Sequence, residues 1–126
     1  MSDDDSATTR TRILYLEDEV LIAFDISAFL DEIDAGDVTT AHKLKDAWAA
    51  TEETEFDLAL LDINVDRRQT SFELGAHLRD TDCVVIYASG NGADAARLRD
   101  EGYLFIEKPF NHDDLEKVIQ GALVPA

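Results

Sequence analysis

The chain carries a single cysteine, Cys83, among 126 residues. No internal disulfide is therefore possible, and with no CxxC partner a zinc cluster and dithiol redox chemistry are both excluded. Cys83 is expected to be a small buried strand residue. Bases are scarce: 11 Lys and Arg stand against 28 Asp and Glu, for a net charge of -17. Such a chain repels a polyanion at long range, which argues against direct nucleic-acid binding and suits a cation or a basic protein partner. Long apolar runs are missing as well. None approaches the ~18 residues of a membrane span, and the polar, acidic start has no apolar signal core, so no membrane association and a cytoplasmic location are expected. The three histidines, His42, His77 and His112, stand in no carboxylate pattern and read as ordinary surface or core side chains.

What remains is ordinary for one globular domain: 45% hydrophobic and 31% charged residues rule out wholesale disorder. Residues 1–11, MSDDDSATTRT, read as a disordered acidic lead, and residues 12–123 as the folded domain. Short apolar runs alternate with stretches of helical period, the pattern of a parallel α/β sheet. Ile13-Leu14-Tyr15-Leu16 reads as a strand, and Ile22, Ile26, Phe29 and Ile33 as one face of a helix that Gly36 ends. Weaker signals give a strand near Val38 to Ala41 and a helix carrying Leu44, Ala47 and Trp48. Strands are expected at Phe56 to Leu61, Val84 to Ala88 and Tyr103 to Ile106, and helices at Phe72 to Leu78, Ala93 to Asp100 and around Leu115, Val118, Ile119 and Ala122. Five βα units in about 110 residues fit an open doubly wound sheet, since a closed eight-unit barrel needs ~250. In open sheets the ligand site lies beyond the carboxyl ends of the strands.

Those ends carry Glu17-Asp18-Glu19, Asp62, Ser89 and Lys108-Pro109. Through ILYLEDE, LALLDIN, VIYASG and EKPF, in that order and spacing from Arg12 to Leu123, the sequence resembles the response regulator receiver domains of two-component signalling, of single-domain type. Tyr87-Ala88-Ser89-Gly90 also resembles the branch marked by Phe-Ala-Thr-Gly, without that motif's flanking prolines and phenylalanines. The resemblance implies a flavodoxin-like (βα)5 fold, an open sheet of five parallel strands in the order 2-1-3-4-5 with helices on both faces. It implies a Mg²⁺-dependent phosphoacceptor switch and not an enzyme turning over a separate substrate. Asp62 would be the acceptor; Asp18 and Asp62 would ligate Mg²⁺ directly, Glu17 through water and Asn64 by its backbone carbonyl. Lys108 would neutralise phosphoryl charge, Ser89 would donate its hydroxyl to a phosphoryl oxygen, and Phe105 would change rotamer in response. The donor would be a sensor histidine kinase or phosphotransfer protein, the recipient of the signal a downstream protein partner, and the Lys108-Pro109 bond cis. Asn64 and Asn91 occupy positions that tune phosphoryl lifetime in the family. Asp66 stands where the family carries proline.

Other readings compete. The family role divides between a switch and a phosphate sink draining a kinase, and a flavodoxin-like redox protein would share the fold. Glu17 to Glu19 could merely favour the positive end of a helix, and Ser89 could be a helix cap. Gly90 to Ala95 has the spacing of a dinucleotide loop but sits too late in the chain, so its glycines and short helix read better as a moving part. The phosphotransfer reading requires Asp18, Asp62, Ser89 and Lys108 to share one pocket.

Overall fold

A computed structural model of the chain describes residues 10–65 and 69–123. Strand β1 (Arg12–Leu16) leads into helix α1 (Val20–Glu32), then β2 (Asp37–Ala41), α2 (Leu44–Glu53) and β3 (Leu58–Asp62). Two short strands, β4 (Asn64–Val65) and β5 (Gln69–Thr70), precede α3 (Phe72–Asp80). The chain then forms β6 (Val84–Ser89), a single 3-10 turn at Gly92–Asp94, α4 (Ala95–Asp100), β7 (Leu104–Glu107) and α5 (His112–Leu123). Five strands make one parallel sheet in the order β2-β1-β3-β6-β7. With β4 and β5 set aside as a separate antiparallel pair, this is the expected 2-1-3-4-5 topology.

The sheet is buried on both faces, which is why its strands read as continuous apolar runs rather than as alternating ones. Ile13 and Tyr15 of β1, Leu58 and Leu60 of β3 and Ile86 of β6 pack with Ala23, Ile26, Phe29 and Leu30 of α1 and Leu115 and Ile119 of α5. Their neighbours Leu14, Leu16, Ala59, Leu61, Val85 and Tyr87 face the other way, toward Ala47 of α2, Leu74 and Leu78 of α3 and Leu98 of α4. Helices thus cover both faces, and Cys83 is buried as expected. Among the described residues no helix is long and apolar enough to cross a membrane.

Several local expectations need correction. Helix α1 is ended by Asp34 and not by Gly36. Asp34 takes the left-handed conformation (φ 55°), while the amides of Asp34 and Ala35 donate to the carbonyls of Asp31 and Leu30. Asp82 (φ 67°) and Gly102 (φ 92°) close α3 and α4 with the same pair of bonds, so the left-handed residue is Asp twice and Gly once. Gly36 serves a close approach instead: a Cβ there would lie 2.2 Å from the Thr11 carbonyl oxygen. On α1, Ile26 and Phe29 are buried but Ile22 is 38% exposed, because the apolar stripe is offset toward Ala23 and Leu30. The helix expected over Ala93 to Asp100 is one 3-10 turn followed by six α-helical residues, and the last strand is shifted one residue onward from Tyr103 to Ile106.

Of the lead expected over residues 1–11, residues 1–9 lie outside the described residues, whereas Arg10 pairs with Asp34 at 2.9 Å and Asp37 at 2.7 Å. Asp66 also lies outside the described residues.

Glycine spacing gives a paired test of packing. A Cβ at Gly75 would meet the Tyr87 hydroxyl at 1.7 Å, while one at Gly121 of α5 meets nothing within 4 Å. In urea melts, Gly75→Ala is expected to cost about 1–3 kcal/mol, whereas Gly121→Ala should gain up to about 1 kcal/mol through helix propensity. Equal effects at the two positions would show that Tyr87 does not fill the space above Gly75.

Candidate functional site

Three of the central sheet strands stop on a polar residue or just before one, and their tips converge. Glu17 follows β1 directly, its amide donating to the Ala41 carbonyl at 3.0 Å. Its side chain is only 2% exposed. Asp62 is the last residue of β3, level with Ala88 of β6, and is 8% exposed. Ser89 ends β6 and is buried, and its carbonyl accepts from the Lys108 amide at 2.9 Å. Lys108 follows β7, and the Lys108-Pro109 bond is cis.

The Lys108 ammonium reaches back across the sheet to both acids, 2.9 Å from Glu17 Oε1 and 3.3 Å from Asp62 Oδ2. Oxygens of Glu17, Asp18 and Asp62 all lie within 4.8 Å of one another. Two like charges at that separation repel by roughly 3 kcal/mol at an effective dielectric of 20. The Lys108 ammonium pairs with Glu17 and Asp62, and Asp18 adds a third carboxylate to the same group. Three carboxylates grouped in this way form an all-oxygen donor set, which suits Mg²⁺. The residues present therefore fit the expected metal.

The same balance sets the protonation of Asp62. Burial raises its carboxyl most; Lys108 pulls the other way, and Glu17 and Asp18 raise it further, to about 6. Lys108 is held above its ordinary value by Glu17 and Asp62 in spite of its burial. Tyr15 lies beneath, its hydroxyl buried without a hydrogen-bond partner among the described residues. Burial and the nearby acids Glu17, Asp62 and Asp25 keep it in the neutral form.

Ser89 Oγ accepts from the Asn91 amide at 3.0 Å, a bond that uses a lone pair and not the hydroxyl proton. Asn91 Oδ1 in turn accepts from the Ala93 amide at 2.9 Å, starting the 3-10 turn. Phe105 is buried in β7 beside Tyr87, with the Arg99 guanidinium 6.0 Å from its ring centre. Asn64 opens β4 two residues past Asp62. The histidines lie outside the acid cluster: His77 tilts against Trp48, His112 stacks on Phe29 and meets Asp25, and His42 Nδ1 lies 3.1 Å from the backbone carbonyl of Glu17.

Two contacts were not foreseen in the sequence. Glu17 bonds Lys108 directly. Ser71, fully buried at the head of α3, donates its hydroxyl to the Asp62 carbonyl at 2.8 Å. A serine before an apolar run reads as a helix cap, so nothing local in the sequence marks that second role.

An open doubly wound sheet with an acid cluster, a hydroxyl and an amine at its strand tips defines a class of α/β proteins that bind small ligands there. The response regulator receiver domain family matches residues 13–120, and the chain belongs to that family. No curated protein sequence matches it. Among solved structures, chemotaxis response regulator CheY4 of Vibrio cholerae superposes with a TM-score of 0.79 at 23% identity, covering 91% of this chain and 100% of that one. A CheY-like receiver domain protein from Methanospirillum hungatei JF-1 gives 0.76 at 25%, covering 90% and 94%. SdrG from Sphingomonas melonis Fr1 gives 0.74 at 33%, covering 90% and 97%.

The raised carboxyl of Asp62 fixes the sign of a pH dependence. An acid whose folded value of about 6 exceeds its ordinary value near 4 costs stability when ionised. That cost is full above pH 6 and disappears as both states protonate toward pH 4; two units correspond to about 3 kcal/mol. Asp62→Asn should therefore be more stable than the parent by about 2–3 kcal/mol at pH 8 without divalent cations, the gap narrowing by pH 5. Urea melts at the two pH values check this, and a variant less stable than the parent at pH 8 would contradict the account.

Proposed function

We propose that the chain accepts a phosphoryl group on Asp62 from a sensor histidine kinase or phosphotransfer protein and passes the signal on by phosphorylation-dependent binding of a protein partner. The observation that carries this reading is the ion-paired triad of Glu17, Asp62 and Lys108, drawn from three separate strand tips. At neutral pH most Asp62 is the carboxylate, since its ionisation lies near 6, and the carboxylate is the nucleophilic form. An Asp62 oxygen forms the new O–P bond as the donor's N–P bond breaks, and the electron pair of that bond returns to the imidazole nitrogen. Lys108 can hold one phosphoryl oxygen while remaining beside Glu17.

Glu17, Asp18, Asp62 and the Asn64 carbonyl would hold Mg²⁺, which when bound offsets charge on the phosphoryl oxygens during in-line transfer. Ser89 then donates its hydroxyl to another of those oxygens, using the proton that the bond its Oγ accepts from the Asn91 amide does not engage. That pull draws in the segment after β6, and Phe105 changes rotamer with it. The new charge of roughly -1.5 to -2 biases the loop.

A protein donor also needs somewhere to bear. Leu21 and Phe24 on α1 are 85% and 74% exposed, and Leu21 lines a concavity together with Glu19, Lys108 and Pro109 beside the site. Exposed apolar side chains grouped in this way mark protein contacts. A redox role with bound flavin is disfavoured, because ligands of such sheets bind beyond the carboxyl ends of the strands, where Glu17, Asp18 and Asp62 would repel a flavin phosphate.

Incubation with acetyl phosphate and Mg²⁺ should add one phosphoryl group to the intact protein by mass, and none to Asp62→Asn. Undiminished labelling of that variant would move the acceptor elsewhere. Mg²⁺ at a hundredfold excess over its dissociation constant should stabilise the parent by ~2.7 kcal/mol. A melting curve indifferent to Mg²⁺ would exclude the metal site.

A further inference from the structure

We propose that Ser71 is a positioning residue for the acceptor, holding the Asp62 peptide at the angle that phosphoryl transfer requires. The inference rests on the reading of Asp62 given above and extends it to a residue outside the acid cluster. Ser71 immediately precedes α3, where a serine hydroxyl ordinarily accepts a bond from an amide of the first helical turn. Here it makes no such cap. It donates instead to the Asp62 carbonyl at 2.8 Å, from a residue with no exposed surface.

The Ser71 amide adds a second tie, donating to the Ile63 carbonyl at 3.0 Å. On the sheet side the Ile63 amide donates to the Ala88 carbonyl at 3.0 Å. The two peptides that follow the acceptor's Cα are thus held from α3 and from β6 together. A rotation of the Asp62–Ile63 peptide swings the Asp62 carboxylate and displaces Asn64, whose carbonyl is the remaining expected metal ligand. Ser71 is itself anchored, since its carbonyl accepts from the Gly75 amide at 2.9 Å in the first turn of α3.

The β4–β5 pair explains how the chain delivers it. Asn64 pairs with Thr70 and Val65 with Gln69, which returns the backbone to the tip of β3 nine residues after Asp62. Reacting groups must be held to within fractions of an ångström for in-line transfer, and small misplacements cost large factors in rate.

The test uses the full chain with Ser71→Ala, Ser71→Cys, which fills the space with a poor donor, and Ser71→Thr, which keeps the hydroxyl. Ile119→Val, on the core face of α5, serves as a destabilised control outside the acid cluster. Two quantities are read under conditions where each protein is folded: the affinity for Mg²⁺ alone, and the initial rate of labelling by acetyl phosphate at saturating Mg²⁺. Ser71→Ala and Ser71→Cys should label about tenfold more slowly and bind Mg²⁺ more weakly. Ser71→Thr should recover most of the rate, and Ile119→Val should label at the parent rate in spite of a lower melting temperature.

Parent-like behaviour of Ser71→Cys in both readouts would overturn the proposal even if Ser71→Ala does not fold, because it would make volume and not the donor the relevant property. An equal slowing of Ile119→Val would also overturn it. Failure of the underlying reading looks different: the parent itself takes no phosphoryl group, or Asp62→Asn takes as much. The Mg²⁺ arm then decides alone, with unchanged affinity in both Ser71→Ala and Ser71→Cys refuting the positioning role and weakened affinity supporting it.

Discussion

Everything at the business end of this molecule turns on the reach of one ammonium group across 91 positions of sequence, from Lys108 to Glu17, with Asp62 on its flank. Buried carboxylates repel each other and lose hydration, and neither cost is recovered unless a cation is brought to them. A parallel sheet supplies that cation cheaply. Every strand runs the same way, so every strand ends at the same edge, and the order β2-β1-β3-β6-β7 places the tips of β1 and β3 next to each other. The third carboxylate, Asp18, is what makes the cluster a candidate metal site and not merely an ion pair.

The core and the site were legible for the same reason. Strands buried on both faces must be apolar throughout, so the first polar residue after each run announces the strand tip. Glu17, Asp62 and Ser89 could be picked out in this way, with Lys108 one residue past the first polar residue, Glu107. Strands β1 and β6 bring their apolar runs to the places expected, while β3 starts at Leu58, two residues after the expected Phe56. What escaped was structure without a period. Strands β4 and β5 are two residues each, too short for alternation to show. The end of α1 escaped because aspartate, and not the expected glycine, takes the left-handed conformation there, as Asp82 does at the end of α3. Ser71 was invisible because its role is a bond to a backbone carbonyl, and backbone partners leave no trace in side-chain spacing.

Charge works at two scales here and should not be conflated. The net charge of -17 acts over the whole surface and bears on solubility and on which partners approach. The chemistry depends on three carboxylates and one amine within a few ångströms, where desolvation and not net charge sets the protonation of Asp62. A surface variant that alters the first need not touch the second, although exposed acids beside the concavity, such as Glu19, belong to both.

If Asp62 is the acceptor, as proposed, its surroundings give a route by which a local event would become a change of surface. Asp62 ends a strand whose next peptide is tied on one side to β6 through Ala88 and on the other to α3 through Ser71. Ser89, one residue beyond Ala88, starts the short turn that leads into α4, a helix of six residues anchored in the core by Leu98. A short helix with a single buried side chain is held weakly, whereas the strands beneath it are not. Charge added at Asp62 therefore meets a rigid support on the sheet side and a compliant one beyond Ser89. On the proposed reading, displacement would follow the compliant direction, toward α4 and the Phe105 edge of the sheet and away from α1. The proposed donor and recipient would then use different faces of a domain this small, the first bearing on α1 beside the acids and the second on α4 and β7.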